Sequence, residues 1–159
     1  MGITVISPVG NDRRGFSLIE LILALMVFGL SSLIVLPNIE RGMQERQLRG
    51  SALGLAAVAR DLRSRALHEG IPRQLVLDVS TNSYRTERNR EFHLPSDVKF
   101  AAVEGGESLE SGARRFLFFP NGSNVGGAIV LSSARNSMAY SIRLEPLTGK
   151  IEVLRSERS

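Results

Sequence analysis

The chain contains no cysteine in its 159 residues. That excludes a disulfide framework, a thiolate nucleophile and a thiolate metal site together. It neither demands nor forbids an oxidising compartment. Histidine is nearly as scarce: His68 falls near a predicted helix end and His93 lies in the stretch Glu91 to Pro95, a separation that builds no metal pair. Serines are plentiful, but none stands in a nucleophile elbow or a Ser-x-x-Lys context. The glycines of Gly10 to Gly15 and of Asn121 to Gly127 lack phosphate-loop spacing. Asn121-Gly122-Ser123 fits a glycosylation acceptor formally, yet the same residues read more strongly as a turn. No catalytic residue, metal site or cofactor is expected, and the chain does not read as an enzyme.

The net charge of +4 is mild. Its basic residues, nearly all arginine, are interleaved with Glu and Asp along most of the chain, which favours a mixed solvated surface over a polyanion track.

What the sequence does have is one concentrated apolar run, from Phe16 to Pro37, behind the pair Arg13-Arg14 and Gly15. About 21 residues at a rise of 1.5 Å reach roughly 30 Å, the thickness of a bilayer's hydrocarbon core. Positive charge on its N-terminal side keeps that end cytoplasmic and sends the rest outward. The order of the parts differs from a secretory signal, whose cleavage site follows its apolar stretch. Glu20 is the anomaly, because a carboxylate inside hydrocarbon costs a few kcal/mol and is normally paired or functional. No Lys, Arg or His follows it within the run. Its partner must be a lipid headgroup or a cation on another chain. A cut between Gly15 and Phe16 would create an α-amine about one helical turn from Glu20, and a neighbouring copy's amine could neutralise the carboxylate.

Gly15-Phe16-Ser17-Leu18-Ile19-Glu20, behind a basic pair and ahead of an uninterrupted apolar helix, resembles the class III leader site of type IV pilins and type II secretion pseudopilins. The resemblance implies that a prepilin peptidase cuts after Gly15 and N-methylates Phe16. It also implies that Glu20 pairs with the Phe16 amine of an adjacent subunit during assembly.

Pro37 closes the apolar run and is expected to kink the helix, since proline removes a backbone hydrogen bond. Beyond it Leu48, Ala52, Leu55, Ala59, Leu62 and Ala66 recur at alternating four- and three-residue spacing, an amphipathic stripe one face wide. Arg46, Arg60 and Arg63 occupy other faces and read as its polar flanks. Gly70 and Ile71-Pro72 supply the stop. The resemblance implies that the stretch after the span loosens when subunits enter a filament; Gly29, Pro37 and Gly42 suit that, although close packing explains glycines equally well.

After Pro72 the period changes to short β-rich segments: 73–79, 83–87, 98–103, 115–119, 128–132, 139–145 and 150–154. The last two, joined through Leu147-Thr148-Gly149, read as an antiparallel hairpin. The fold class is therefore α+β, a long N-terminal helix packed on a small antiparallel, β-sandwich-like head. Residues 81–113 are expected to contain variable loops, with 104–112 the most mobile. The stretch Phe118 to Leu131, with its Pro-Asn-Gly-Ser turn and Gly-Gly strand entry, resembles the F-x-P-x-G-x-x-x-G-G-x-I pattern of GspH/FimT-type minor pseudopilins and pilins.

The expected organisation is a leader at 1–15, a transmembrane and filament-core helix at 16–37, its amphipathic continuation at 38–69 and a periplasmic head at 70–159. The resemblance implies a minor pseudopilin at the tip of a type II secretion pseudopilus in the bacterial inner membrane. Its partners would be the prepilin peptidase, other major and minor pseudopilins, and secreted substrates. One alternative is a FimT-like minor pilin serving DNA uptake, which would need Lys150, Arg155 and Arg158 to engage phosphates. Another is a membrane-anchored binding module that never polymerises and keeps its N-terminus.

Overall fold

The computed structural model describes residues 16–87, 91–134 and 137–157, with the side chains of 33–41 and of Glu157 outside that description. Helix α1 spans Leu18–Glu69, and the chain divides into two compact units between Ile39 and Glu40.

In the second unit every residue of the predicted stripe is buried: Leu48, Ala52, Leu55, Ala59, Leu62 and Ala66 are at most 5% exposed. Alternation of large and small side chains lets the sheets approach the helix closely. Each fully buried leucine contributes about 1.5–3 kcal/mol relative to exposure. The helix stops where the sequence says it should. Gly70 takes φ 67°, its N–H donates to the Ala66 carbonyl at 3.1 Å, and the left-handed glycine turns the chain into the first strand.

Among the described residues nine strands follow. A five-stranded antiparallel sheet has the order β3 (Glu91–His93), β2 (Ser83–Thr86), β1 (Arg73–Asp78), β6 (Arg114–Phe118), β5 (Glu107–Ser108). A four-stranded antiparallel sheet has the order β4 (Val98–Gly105), β7 (Gly127–Ser133), β8 (Met138–Leu144), β9 (Ile151–Glu157). Inward side chains of both sheets join the helix stripe in one cluster, with Leu75, Leu77, Phe116 and Phe118 from the first and Ile129, Leu131, Ile142 and Leu144 from the second. The α+β arrangement is as expected.

All seven predicted strands are present, and two more appear within the segment read as loops. β3 has three residues and β5 two, too short for an alternation to register. The expected loop at 104–112 is in part a strand: Glu104 and Gly105 pair with Ala128 and Gly127, and Glu107 and Ser108 pair with Arg115 and Arg114. Gly106 alone separates β4 from β5, so the chain crosses between sheets at this corner.

Two sheet edges are engaged by side chains. Asn82, in the β1–β2 turn with φ 52°, donates Nδ2 to the Val98 carbonyl at 2.7 Å and accepts the Phe100 N–H on Oδ1 at 3.3 Å. Its amide thus stands beside β4 as a neighbouring strand's peptide would. On β9, Arg60 of the helix donates to the Ile151 carbonyl at 2.8 Å, and Arg155 lies 3.6 Å from Glu45.

Candidate functional site

The carbonyl of Ser17 accepts the N–H of Glu20 at 3.0 Å and of Leu21 at 3.1 Å, so Ser17 caps the helix and Glu20 falls in its first turn. Ser-x-x-Glu at this position is the spacing of a capping box. The partial positive charge at a helix N-terminus favours a carboxylate there. Glu20 is therefore stabilised locally as well as being available to a partner. Its side chain is exposed and pairs with no cation among the described residues. Gly15, the other half of the predicted cleavage site, lies outside the described residues; Phe16 is 82% exposed.

Around Glu20 the helix is apolar on every face. Leu18, Ile19, Leu21, Ile22, Leu23, Leu25, Met26, Val27, Phe28 and Leu30 are all exposed. A helix hydrophobic all round belongs inside a large core or a membrane. Its two serines satisfy themselves, Ser31 Oγ donating to the Val27 carbonyl at 2.8 Å and Ser32 Oγ to Phe28 at 2.9 Å. Such back-bonding removes the cost of taking a hydroxyl out of water. Among the described residues no helix is long and apolar enough to cross a membrane. The predicted span continues through residues 33–37, whose side chains lie outside the description, and the expected kink at Pro37 falls there too.

The head carries no comparable chemistry. Among the described residues no group of His, Asp and Glu is arranged to hold a metal. His68 Nδ1 meets the Ser64 carbonyl at 2.8 Å and His93 lies 3.9 Å from Glu91. The cations that a DNA-binding reading would use are answered: Lys150 pairs with Glu152 at 2.5 Å and Arg155 with Glu45. The hydrogen bond that Lys150 donates to Glu152, with the attraction of the opposite charges, holds the Lys150 ammonium above its ordinary range and the Glu152 carboxyl below its own. Arg158 lies outside the described residues.

The Phe118 to Leu131 stretch proves to be a lock between helix and sheets. The Gly122 N–H closes a turn onto the Phe119 carbonyl, and Asn121 Oδ1 accepts from Ser123 N and Oγ at 3.1 and 2.7 Å. Asn124, buried, donates Nδ2 to the Glu145 carbonyl at 2.9 Å and accepts the Gly126 N–H at 2.7 Å. Arg63 reaches across from α1, Nε to the Gly122 carbonyl at 2.9 Å and Nη2 to the Thr148 carbonyl at 3.0 Å. Arg60 and Arg63, read from sequence as solvated flanks, are thus fasteners. Their acceptors are carbonyls 59 to 91 residues away, which no residue type announces.

A cleft of about 300 Å³ opens beside α1, lined by Ala57, Val58, Asp61, Leu62, Arg65, Arg73, Thr86, Glu87 and Phe92. Arg73 is held by carboxylates of Glu69 and Glu87, and Asp61 pairs with Arg65 at 2.9 Å. Arg73 Nε is buried without a hydrogen-bond partner.

Residues 10–36 match the family model of the prokaryotic N-terminal methylation motif. The type II secretion system protein H of Xanthomonas campestris pv. campestris is 26% identical over 126 residues, 78% of this chain and 74% of that protein. Among solved structures, the minor pseudopilin EpsH from the type 2 secretion system of Vibrio cholerae is similar, with a TM-score of 0.57 at 12% identity, covering 68% of this chain and 96% of that one. The methylation motif implies processing by a prepilin peptidase and is consistent with anchoring in the inner membrane. Motif, relative and fold agree: the chain carries an N-methylation prepilin motif, is similar in sequence to a type II secretion system protein H, and shares the pilin-like α+β fold of a minor pseudopilin.

Proposed function

We propose that the chain is a tip-proximal subunit of the type II secretion pseudopilus. A prepilin peptidase cuts between Gly15 and Phe16 and methylates the new amine. The apolar helix then serves first as a single inner-membrane anchor, with the head in the periplasm, and afterwards as part of the filament core. The observation that carries this reading is a helix apolar on all faces from Leu18 to Leu30 with a single carboxylate, Glu20, in its first turn. An anchor needs the apolar surface and has no use for the charge. Docking onto a neighbour's Phe16 amine uses both. Other pseudopilins meet the stem, and the head is available to subunits and secreted substrates.

The test separates insertion from assembly. Glu20→Ala should leave membrane insertion and peptidase cleavage unchanged, since removing a charge eases both burial and threading. Incorporation into pseudopili sheared from cells should fall about tenfold or more, the scale of losing one buried ion pair. Undiminished incorporation would sink the docking role. An intact mass retaining residues 1–15 after co-expression with a prepilin peptidase would favour the non-polymerising module instead.

A further inference from the structure

We propose that the cleft beside α1 receives an extended segment of a neighbouring pseudopilin, one apolar side chain entering the cleft while its backbone lies along the edge of β3. The inference rests on the functional reading above, which supplies the neighbour.

Three observations choose this occupant. The first is the wall chemistry. Ala57, Val58 and Leu62 of the helix face Phe92, whose ring stacks on Tyr84 at 5.1 Å, and together they offer an apolar interior. At about 300 Å³ the cleft is at the small end of ligand sites, a fit for a side chain with its adjoining peptide.

The second is charge. The Arg73 guanidinium already faces two carboxylates, Glu69 and Glu87, and Arg65 faces Asp61. Formally the group carries one negative charge in excess, so a phosphate or carboxylate ligand is disfavoured. A neutral peptide segment with an apolar side chain meets no such repulsion and matches the apolar wall.

The third is the adjoining edge. Among the described residues β3 pairs with β2 alone. The Leu94 N–H donates to the Asn82 carbonyl at 3.0 Å, so in the antiparallel register the bonded pairs continue at Tyr84–Phe92. That leaves the peptide groups of Glu91 and His93 directed to the open edge. A strand added there places alternate side chains on the face that carries Phe92, where the cleft lies.

The experiment uses the full chain in cells assembling pseudopili. Ala57 is exposed at the cleft, so Ala57→Trp fills it without disturbing the core. Leu147→Trp, at a position 91% exposed on the β8–β9 turn, is the control. Ala57→Trp should lower incorporation about tenfold or more, as loss of an interface anchor does, while Leu147→Trp leaves it unchanged and both keep the parental unfolding temperature. A p-benzoylphenylalanine at position 61 should crosslink to a stretch of another pseudopilin, mapped by mass spectrometry, and Ala57→Trp should abolish that crosslink. Equal incorporation of Ala57→Trp and wild type, or a crosslink confined to secreted proteins or lipid, would overturn this inference and leave the functional reading standing. Absence of the wild-type chain from pseudopili would overturn both.

Discussion

Arg63 and Gly149 share one space: a side-chain carbon built on Gly149 would collide with the Arg63 guanidinium and with the Gly122 carbonyl that it serves. The lock between helix and hairpin therefore depends on a charge at one residue and on the lack of a side chain at the other.

Replacing Arg63 with alanine strands two carbonyls that accept from a charged donor. The expected loss is about 2–4 kcal/mol of unfolding free energy. Arg63→Lys should recover at most about half, because an ammonium cannot reproduce the planar fork. Urea unfolding of the full chain in detergent measures both.

Gly149 and Gly70 have nearly the same φ, 66° and 67°, but Gly70 has open space around it. Gly70→Ala should thus cost about 1 kcal/mol, the backbone penalty alone. Gly149→Ala should cost at least about 2 kcal/mol more, by adding a steric clash to the same penalty. Equal unfolding midpoints for the two variants would remove the close approach from the account.

Asn82 combines a left-handed backbone with two bonds to the edge of β4. Asn82→Ala should destabilise by about 2–3 kcal/mol, and Asn82→Gly by about 1 kcal/mol less, since glycine restores the backbone freedom without the amide. In hydrogen exchange, the Phe100 amide should lose protection in both variants.

Asp78 closes its turn by accepting from Ser80 Oγ at 2.5 Å and Ser80 N at 2.9 Å. The Ser80 hydroxyl, followed by the Thr81 and Ser80 amides, holds its carboxyl below the usual 3.8. A depressed folded-state value stabilises the fold above the unfolded value and ceases to do so as pH falls through the folded one. Asp78→Asn keeps an acceptor that does not titrate. The difference between the parent's and the variant's unfolding midpoints should stay constant above about pH 5 and narrow steadily below about pH 4.

The helix was legible because its signal is local. Leu48 to Ala66 repeat at helical spacing, and all six are buried as that spacing requires. The β8–β9 hairpin was legible for the same reason, with Glu145 and Lys150 closing it through a backbone bond of 2.9 Å. β3 and β5 were hidden because their pairing is supplied by residues elsewhere, Ser83 to Arg85 for one and Arg114 to Arg115 for the other. Glu20 was conspicuous as a charge in an apolar run, yet its place in the first turn of α1 depends on where Ser17 starts the helix. Asn82 and the helix arginines escaped notice because their partners are main-chain atoms, which carry no letter in the sequence.

The engaged strand borders have a consequence for encounters between copies of this chain. Exposed β-strand borders template runaway stacking between identical chains. Here one asparagine amide masks the start of β4, Arg60 occupies a carbonyl of β9, and the border of β5 is two residues long. Such a head resists edge-to-edge pairing with its own kind, and in the assembly proposed above the timing of polymerisation then falls to the stem.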